Sequence, residues 1–441
     1  MYLFLLIILA VVFIVVATVR FKLHPFLSLF LAAIGVGLAS GLGLNETLKT
    51  LTDGFGDTLS SIGFIIVFGT IIGILLERTN STKTIVDYML KWFGSKRSPL
   101  AINLTGFIVS IPVFCDSAFV ILSSLNKSLS RKTGLPVTVF AVSLATGLYA
   151  AHVFVPPTPG PLAAAALLNA DLGSVLMFGL LVAIPVSLVG YLWSLYRRPV
   201  EDAQNIQFDA EEEPISFQNK SLVVFLPILI PIILIALKSI ANYPGFPFGE
   251  GGFYKLIDFI GHPIIALFAG VIMAYGLTLK LPEKDNMKWT SDALKEAGII
   301  ILITGAGGAF GAILKALDLA DLLNFSSDNG LVGILIAWTI AAILKTAQGS
   351  STVAIVTASA FMAPLLSSIG LDSDMGKTFT VLAIGAGAMT VSHLNDSYFW
   401  VVSQFSKMSV KHALKHYSTA TFIQGVTGLT LVIILYLAFG S

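Results

Sequence analysis

Four short interruptions in otherwise apolar runs hold the side chains with usable chemistry. The first is Ser110-Ile111-Pro112-Val113-Phe114-Cys115-Asp116-Ser117, where Pro112 removes a helical hydrogen bond and a carboxylate follows. The second, Lys345-Thr346-Ala347-Gln348-Gly349-Ser350-Ser351-Thr352, is a small, hydroxyl-rich turn suited to holding a carboxylate or an ion. The third runs from His152 to Pro161 and contains four prolines around Thr158, too many for a continuous helix. The fourth is Ser392-His393-Leu394-Asn395-Asp396-Ser397. Asp116, Asp396, His152 and His393 are groups able to take up and release a proton. Ser117, Thr158, Gln348, Gly349, Ser350, Ser351, Thr352, Asn395 and Ser397 offer hydroxyl, amide and backbone groups to a polar solute. Half-helices restarting after such breaks direct their partly positive N-termini at the break, which favours an anion. Lys345 reads either as a counter-charge for that anion or as the partner of Asp116 or Asp396.

The surroundings of these residues are lipid-like. Of 441 residues, 56% are hydrophobic and only 12% charged, and mean hydropathy is +0.88. Soluble domains carry about 25% charged residues. Apolar runs at 2–19, 25–43, 62–77, 174–196, 221–241, 263–281, 298–317 and 420–439 are of a length to cross ~30 Å of hydrocarbon. At that depth a broken helix survives only where it lines a protein-walled cavity, and a charge costs at least ~2.5–3.5 kcal/mol. Each ionisable group in the breaks therefore needs a partner or a task. A net charge of +1 points to no nucleic-acid partner. The single cysteine, Cys115, precludes a disulfide framework and reads as a packing residue. Gly305, Gly307, Gly308 and Gly311 read as close helix packing, since no strand precedes them and no Gly-Lys-Ser/Thr follows. No cofactor or metal motif is present. The His-Pro pairs His24-Pro25 and His262-Pro263 read as helix entrances.

Those two pairs also expose a repeat. Pro25 and Pro263 differ by 263 − 25 = 238 positions. The same shift carries Gly73-Ile74-Leu75-Leu76-Glu77 onto Gly311-Ala312-Ile313-Leu314-Lys315, and the Pro-rich break onto His393–Phe399. The halves span 1–196 and 220–441, joined by an acidic linker at 197–219 expected to be cytoplasmic. Polar residues 242–260 are expected to form an extracytoplasmic loop. Lys/Arg bias places 78–98, 126–134, 280–296 and 406–416 inside as loops, and 44–58 and 366–377 outside. Run 62–77 then descends while its counterpart 298–317 ascends, so the copies are inverted. Inversion requires an odd number of crossings per half. The expected fold is an all-α polytopic membrane protein with two inverted-topology repeats, each of about five transmembrane helices plus one re-entrant hairpin. The hairpins are 99–132 and 331–369. Both termini fall outside, and the first apolar run is retained as a span. A duplicated membrane protein with its site between the halves suggests a transporter.

Several stretches together resemble the gluconate permease family of bacterial symporters, within the wider ion-transporter superfamily. They are Ile111-Pro112-Val113-Phe114 with Asp116 and Ala118–Leu122, Val155–Pro161 with Asn169-Ala170-Asp171-Leu172-Gly173, Gly307–Gly311, Gly349–Ala354 and His393–Trp400. Two positions depart from the family pattern: Cys115 stands where an aromatic residue is usual, and Thr158 where a His often lies between the prolines. The resemblance implies proton-coupled uptake of a small hydroxy- or amino-carboxylate, such as gluconate, a related sugar acid, glycerate or D-serine. It also implies residence in the bacterial inner membrane and a homodimer moving by an elevator-type mechanism. Na⁺ coupling through the hydroxyl-rich turn is the alternative. An intramembrane acid–base enzyme or a passive channel is a weaker one, since no protease or hydrolase signature is present.

Overall fold

The computed structural model describes residues 2–94, 97–196, 222–242, 251–279, 281, 285–317, 330–394 and 396–440. The linker 197–219 and Asn395 lie outside the described residues. Within them the chain is entirely helical. The first half runs α1 (Tyr2–Val19), α2 (Pro25–Ala39), α3 (Leu44–Arg78), α4 (Ser81–Phe93), α5 (Ser98–Val109), α6 (Cys115–Thr133), α7 (Val137–Phe154), α8 (Pro159–Leu167) and α9 (Leu172–Tyr196). The second runs α10 (Leu226–Ala241), α11 (Gly252–Ile260), α12 (Pro263–Thr278), α13 (Asn286–Lys315), α14 (Gly330–Gln348), α15 (Ser351–Met362), α16 (Asp374–Met389), α17 (Ser397–Phe405) and α18 (Val410–Phe439). Among the described residues 7 helices are long and apolar enough to cross a membrane, or up to 8 if the bent pair α11–α12 is one span.

Local sequence accounts for the helix starts. Pro25, Pro159 and Pro263 open α2, α8 and α12, where a missing N–H costs nothing. His24 accepts a hydrogen bond from the Phe26 N–H at 3.3 Å, so the first His-Pro pair is a helix cap. His262 occupies the same cap position before α12. Large apolar residues face outward, among them Leu31, Phe64, Leu181, Phe268, Ile299 and Ile434. Polar side chains turn inward, and several of them join helices there. The Asn103 amide donates to the Ser143 carbonyl at 2.8 Å and accepts from the Ser187 hydroxyl at 2.8 Å. The Gln424 amide donates to the carbonyls of Thr146 and Val186, each at 3.1 Å. This arrangement suits a lipid solvent, in which buried polar contacts join helices.

Helix bounds recur with the shift of 238. Pro25 and Pro263 open α2 and α12, Pro159 and Ser397 open α8 and α17, and Leu172 and Val410 open α9 and α18. Packing recurs as well: α2 lies on α13 while α12 lies on α3, and α5 lies on α7 while α14 lies on α16. The counterparts α3 and α13 pack against each other and run antiparallel. Gly54 meets Ala312, Thr58 meets Gly308, Phe55 and Leu59 meet Gly305, and Arg78 pairs with Asp292 at 3.6 Å. The glycines read as close packing do pack closely: Gly307 abuts Val356, and Gly311 abuts Ala360.

Several expected loops are helical instead. Residues 44–58 form the first part of α3, a helix of 35 residues. Stretch 78–98 contains α4, 126–134 continues α6 as far as Thr133, and 280–296 contains the start of α13. The polar stretch 242–260 ends in α11. Lys, Glu and Asp end an apolar run without ending a helix, and even Gly54 and Gly56 are carried inside α3. The side of the membrane each segment faces is a separate matter, and the helical correction leaves it untouched.

Candidate functional site

All four interruptions are breaks between helices. Residues 110–114 separate α5 from α6, 155–158 separate α7 from α8, Gly349 and Ser350 separate α14 from α15, and 390–396 separate α16 from α17. The backbone conformation follows from residue type. Gly349 takes φ +81, open to glycine without penalty. Ser350 caps α15 by accepting from the Val353 N–H at 3.3 Å. Before α8, the Thr158 hydroxyl donates to the Val155 carbonyl at 2.6 Å, and the Pro156–Pro157 bond is cis. Pro159 and Pro161 delete two of the first-turn N–H donors of α8, which lets that end be buried with few orphaned groups.

Helix α3 brings the first and third breaks together. Gly73 lies against the Pro112 carbonyl, and one turn earlier Gly69 lies against Pro157. Between them is a small cavity lined by Thr70, Pro112, Phe114, His152, Thr158 and Pro159, among others. His152 is on α7, all of whose residues are buried, and its ring stacks beside Tyr149. Its Nδ1 has no partner among the described residues, and neither has Oδ1 of Asp116 in the first turn of α6.

The second and fourth breaks meet through an ion pair. Lys345 Nζ lies 2.6 Å from Asp396 Oδ2, and the two side chains are only 1% and 4% exposed. Of the two roles open to Lys345, the structure supplies a partnership with Asp396. Lys345 also donates to the Gly349 carbonyl at 2.7 Å and lies 5.7 Å from the centre of the Tyr149 ring, a cation–π contact. Asp396 caps α17 by accepting from the Tyr398 N–H at 3.0 Å, and its Oδ2 accepts from the Ser392 hydroxyl. Ser392 is fixed in turn by α18: its N–H donates to Thr421 Oγ1 at 3.0 Å, and its carbonyl accepts from Ser418. Ser418 ends a π-helical turn, Leu414–Ser418, a local widening often found beside functional sites. Asp116 is an electrostatic neighbour of both Lys345 and Asp396, so a second carboxylate faces the pair.

Not every candidate joins this centre. Ser351 is buried and half-buried Thr352 follows it in the first turn of α15; the Gln348 amide is buried without a partner for either atom. Ser117 lines a separate small cavity with Glu77 and Glu296. His393 is half-buried and bonds through Nε2 to the Thr346 carbonyl at 3.1 Å, and its ring has no bond to the side chain of Lys345 or Asp396 among the described residues. Ser397 is exposed. Tyr149, Ser392 and Tyr398 were absent from the expected set. Tyr149 donates to the Ala388 carbonyl at 3.2 Å and Tyr398 to the Ala145 carbonyl at 3.1 Å, tying α7 to both sides of the fourth break. The spacing of Tyr149 and His152, three apart on one helical face, was the available signal. A larger cavity, about 390 Å³, lies at the other end of α8 and is lined by Asp57, Asn169, Lys315, Asp372 and Lys377 among others. At ~1.5 Å per residue, α8 spans roughly 13 Å between the two.

Broken helices converging on a buried charged centre, in a helical protein with an apolar exterior, are the architecture of a membrane transporter. The comparisons agree. The chain belongs to the GntP permease family, whose model matches residues 2–438. It is similar to the gluconate permease of Pseudomonas aeruginosa, 33% identical over 96% of this chain and 95% of that protein. It is similar also to the D-serine transporter DsdX of Escherichia coli strain K12, 36% identical over 95% of each chain. In fold it resembles the YdaH transporter of Alcanivorax borkumensis, with a TM-score of 0.69 at 14% identity over 95% of this chain and 99% of that one. MtrF of Neisseria gonorrhoeae is similar too, with a TM-score of 0.63 at 15% identity over 94% and 95%. The protein is a multi-span membrane transporter and not an enzyme.

Proposed function

We propose that this protein takes up a small hydroxy- or amino-carboxylate together with protons. The observation that carries the reading is the buried centre itself: Lys345, Asp396 and Asp116, at or beside breaks contributed by both halves. One cation suits a substrate carboxylate. The unpartnered atoms of Asp116, His152 and Gln348 suit its hydroxyl or amino groups. Relatives named for gluconate and for D-serine share that chemistry, a carboxylate beside small polar substituents. Asp116, Asp396, His152 and His393 are the candidate proton carriers, and Ser351, Thr352 and Asn395 candidate substrate contacts. Proton coupling is favoured over Na⁺ because the Gly349 carbonyl already accepts from the Lys345 ammonium. A cation in the turn would sit beside a like charge.

The architecture belongs to the same proposal. Matched helix bounds, exchanged packing partners and the antiparallel α3–α13 pair support two inverted repeats. Helix α5 has 12 residues, about 18 Å, which is short of a crossing and supports a re-entrant hairpin with α6. A bacterial inner membrane, outward-facing termini and a homodimer complete the picture. Proteoliposomes offered radiolabelled gluconate, glycerate and D-serine test the substrate class. Accumulation of at least one, inhibited by the others, is expected; indifference to all three would reject it.

A further inference from the structure

We infer that Lys345 is the binding group for the substrate carboxylate, and that substrate and Asp396 occupy it in turn. The inference rests on the proposed uptake of a carboxylate. Its basis is the completeness of the pair: both side chains are buried, Nζ and Oδ2 are 2.6 Å apart, and each member is anchored to a different break.

A buried ammonium without an anion beside it is strongly unfavourable. Lys345 therefore keeps an anion at Nζ in both states of the exchange, with Asp116 facing the pair in each. In the first state it holds the Asp396 carboxylate. In the second, Asp396 has taken a proton on one oxygen and the substrate carboxylate has taken its place at Nζ. One ion pair breaks and another forms. With a monoanionic substrate the entering proton neutralises the charge that the substrate brings, so the charge of the centre is unchanged. Protonated Asp396 keeps its anchors: Oδ1 still accepts from the Tyr398 N–H, and the new O–H on Oδ2 donates to Ser392 Oγ. The first-turn N–H groups of Ser351 and Thr352 lie on the helix that restarts beside Gly349, and they favour an arriving anion.

The other groups facing the pair are Cys115 and Asp116 from α6, Tyr149 and His152 from α7, Tyr398 from α17 and Tyr417 from α18. None of these groups is a lysine or an arginine, so Lys345 is the fixed cation of the cluster. Coupling follows from linkage: a proton on Asp396 raises affinity for the carboxylate, and a bound carboxylate raises affinity for the proton. Each cycle moves one proton with one substrate. Uptake of a monoanion such as gluconate is then electroneutral, and uptake of a zwitterion such as D-serine carries one positive charge inward.

The test uses the full-length protein in proteoliposomes and whichever of gluconate, glycerate and D-serine the wild type accumulates. Lys345→Gln should weaken binding of that acid by about tenfold or more, the loss of one charged hydrogen bond. Asp396→Asn should retain exchange of labelled for unlabelled substrate at a pH-independent rate and lose net accumulation driven by a pH gradient. The double variant Lys345→Gln/Asp396→Asn strands no charge and guards against misfolding. It should bind as weakly as Lys345→Gln at every pH. A double variant that regains gradient-driven accumulation within about threefold of wild type would make the pair a structural tie and overturn the inference, while leaving the transport function standing. A wild type that accumulates none of the three acids would overturn both. Charge movement in the gluconate cycle would overturn the one-for-one exchange.

Discussion

Asp116 and Asp396 are equivalent in sequence terms, each a lone carboxylate after a break, yet their environments differ. Asp396 is held by Lys345, Ser392 and the Tyr398 N–H, whereas Oδ1 of Asp116 has no partner among the described residues. On the proposed reading the first is the member of a latch and the second meets the substrate. Asp116→Asn removes the charge at nearly constant shape, and it should abolish accumulation driven by a pH gradient without reducing membrane insertion. Wild-type pH-dependent uptake by both Asp116→Asn and Asp396→Asn would contradict the assignment. Ser351→Ala should raise KM by the loss of one neutral hydrogen bond, roughly 0.5–1.5 kcal/mol, and an unchanged KM in initial-rate uptake would remove Ser351 from the site. Sequence made the carboxylates visible because charges are rare in apolar runs. It left the partner of Lys345 open, because Asp396 lies 51 positions away and the pairing depends on how two breaks dock. Ser392 and Tyr398 were illegible for the same reason: each serves by position, and its residue type is ordinary in a helix end.

At the scale of elements, breaks were legible and helix lengths were not. Pro112, the four prolines near Thr158 and Gly349 have local backbone consequences that no packing reverses. The ends of α3 and α13 in polar sequence depend on helix propensity, and charged residues are good helix formers. Glycine at the seam of α3 and α13 sets how closely they approach. A Cβ at Gly308 would collide with the Thr58 hydroxyl and the Gly54 carbonyl, whereas a Cβ at Gly63 would meet nothing within 4 Å. Gly308→Val should therefore destabilise the purified protein by about 1–3 kcal/mol, with Gly63→Ala at or above wild type in the same thermal melts. Equal melting of the two variants would show that the seam does not fix the helix pair.

For the whole molecule, the repeat in spelling reappears as a repeat in helix bounds, and the antiparallel α3–α13 pair supports inversion of the copies. Inversion predicts that residues related by the shift of 238 lie on opposite sides of the membrane. Cys115 is the only native cysteine, so Cys115→Ser provides a background for single-cysteine labelling. Pro136→Cys should react from inside and its counterpart Asp374→Cys from outside; labelling of both from one side would refute inversion. On the proposed reading the symmetry confers shape and chemistry lies where the copies differ, with Asp116 an electrostatic neighbour of Lys345. Those opposed charges are what a carboxylate and a proton would exploit together. Purified wild-type protein in proteoliposomes, given gluconate, glycerate or D-serine under an imposed pH gradient with and without Na⁺, decides the matter. Accumulation that follows the pH gradient and ignores Na⁺ is the predicted result. Uptake that requires Na⁺ and is indifferent to the pH gradient would contradict proton-coupled transport.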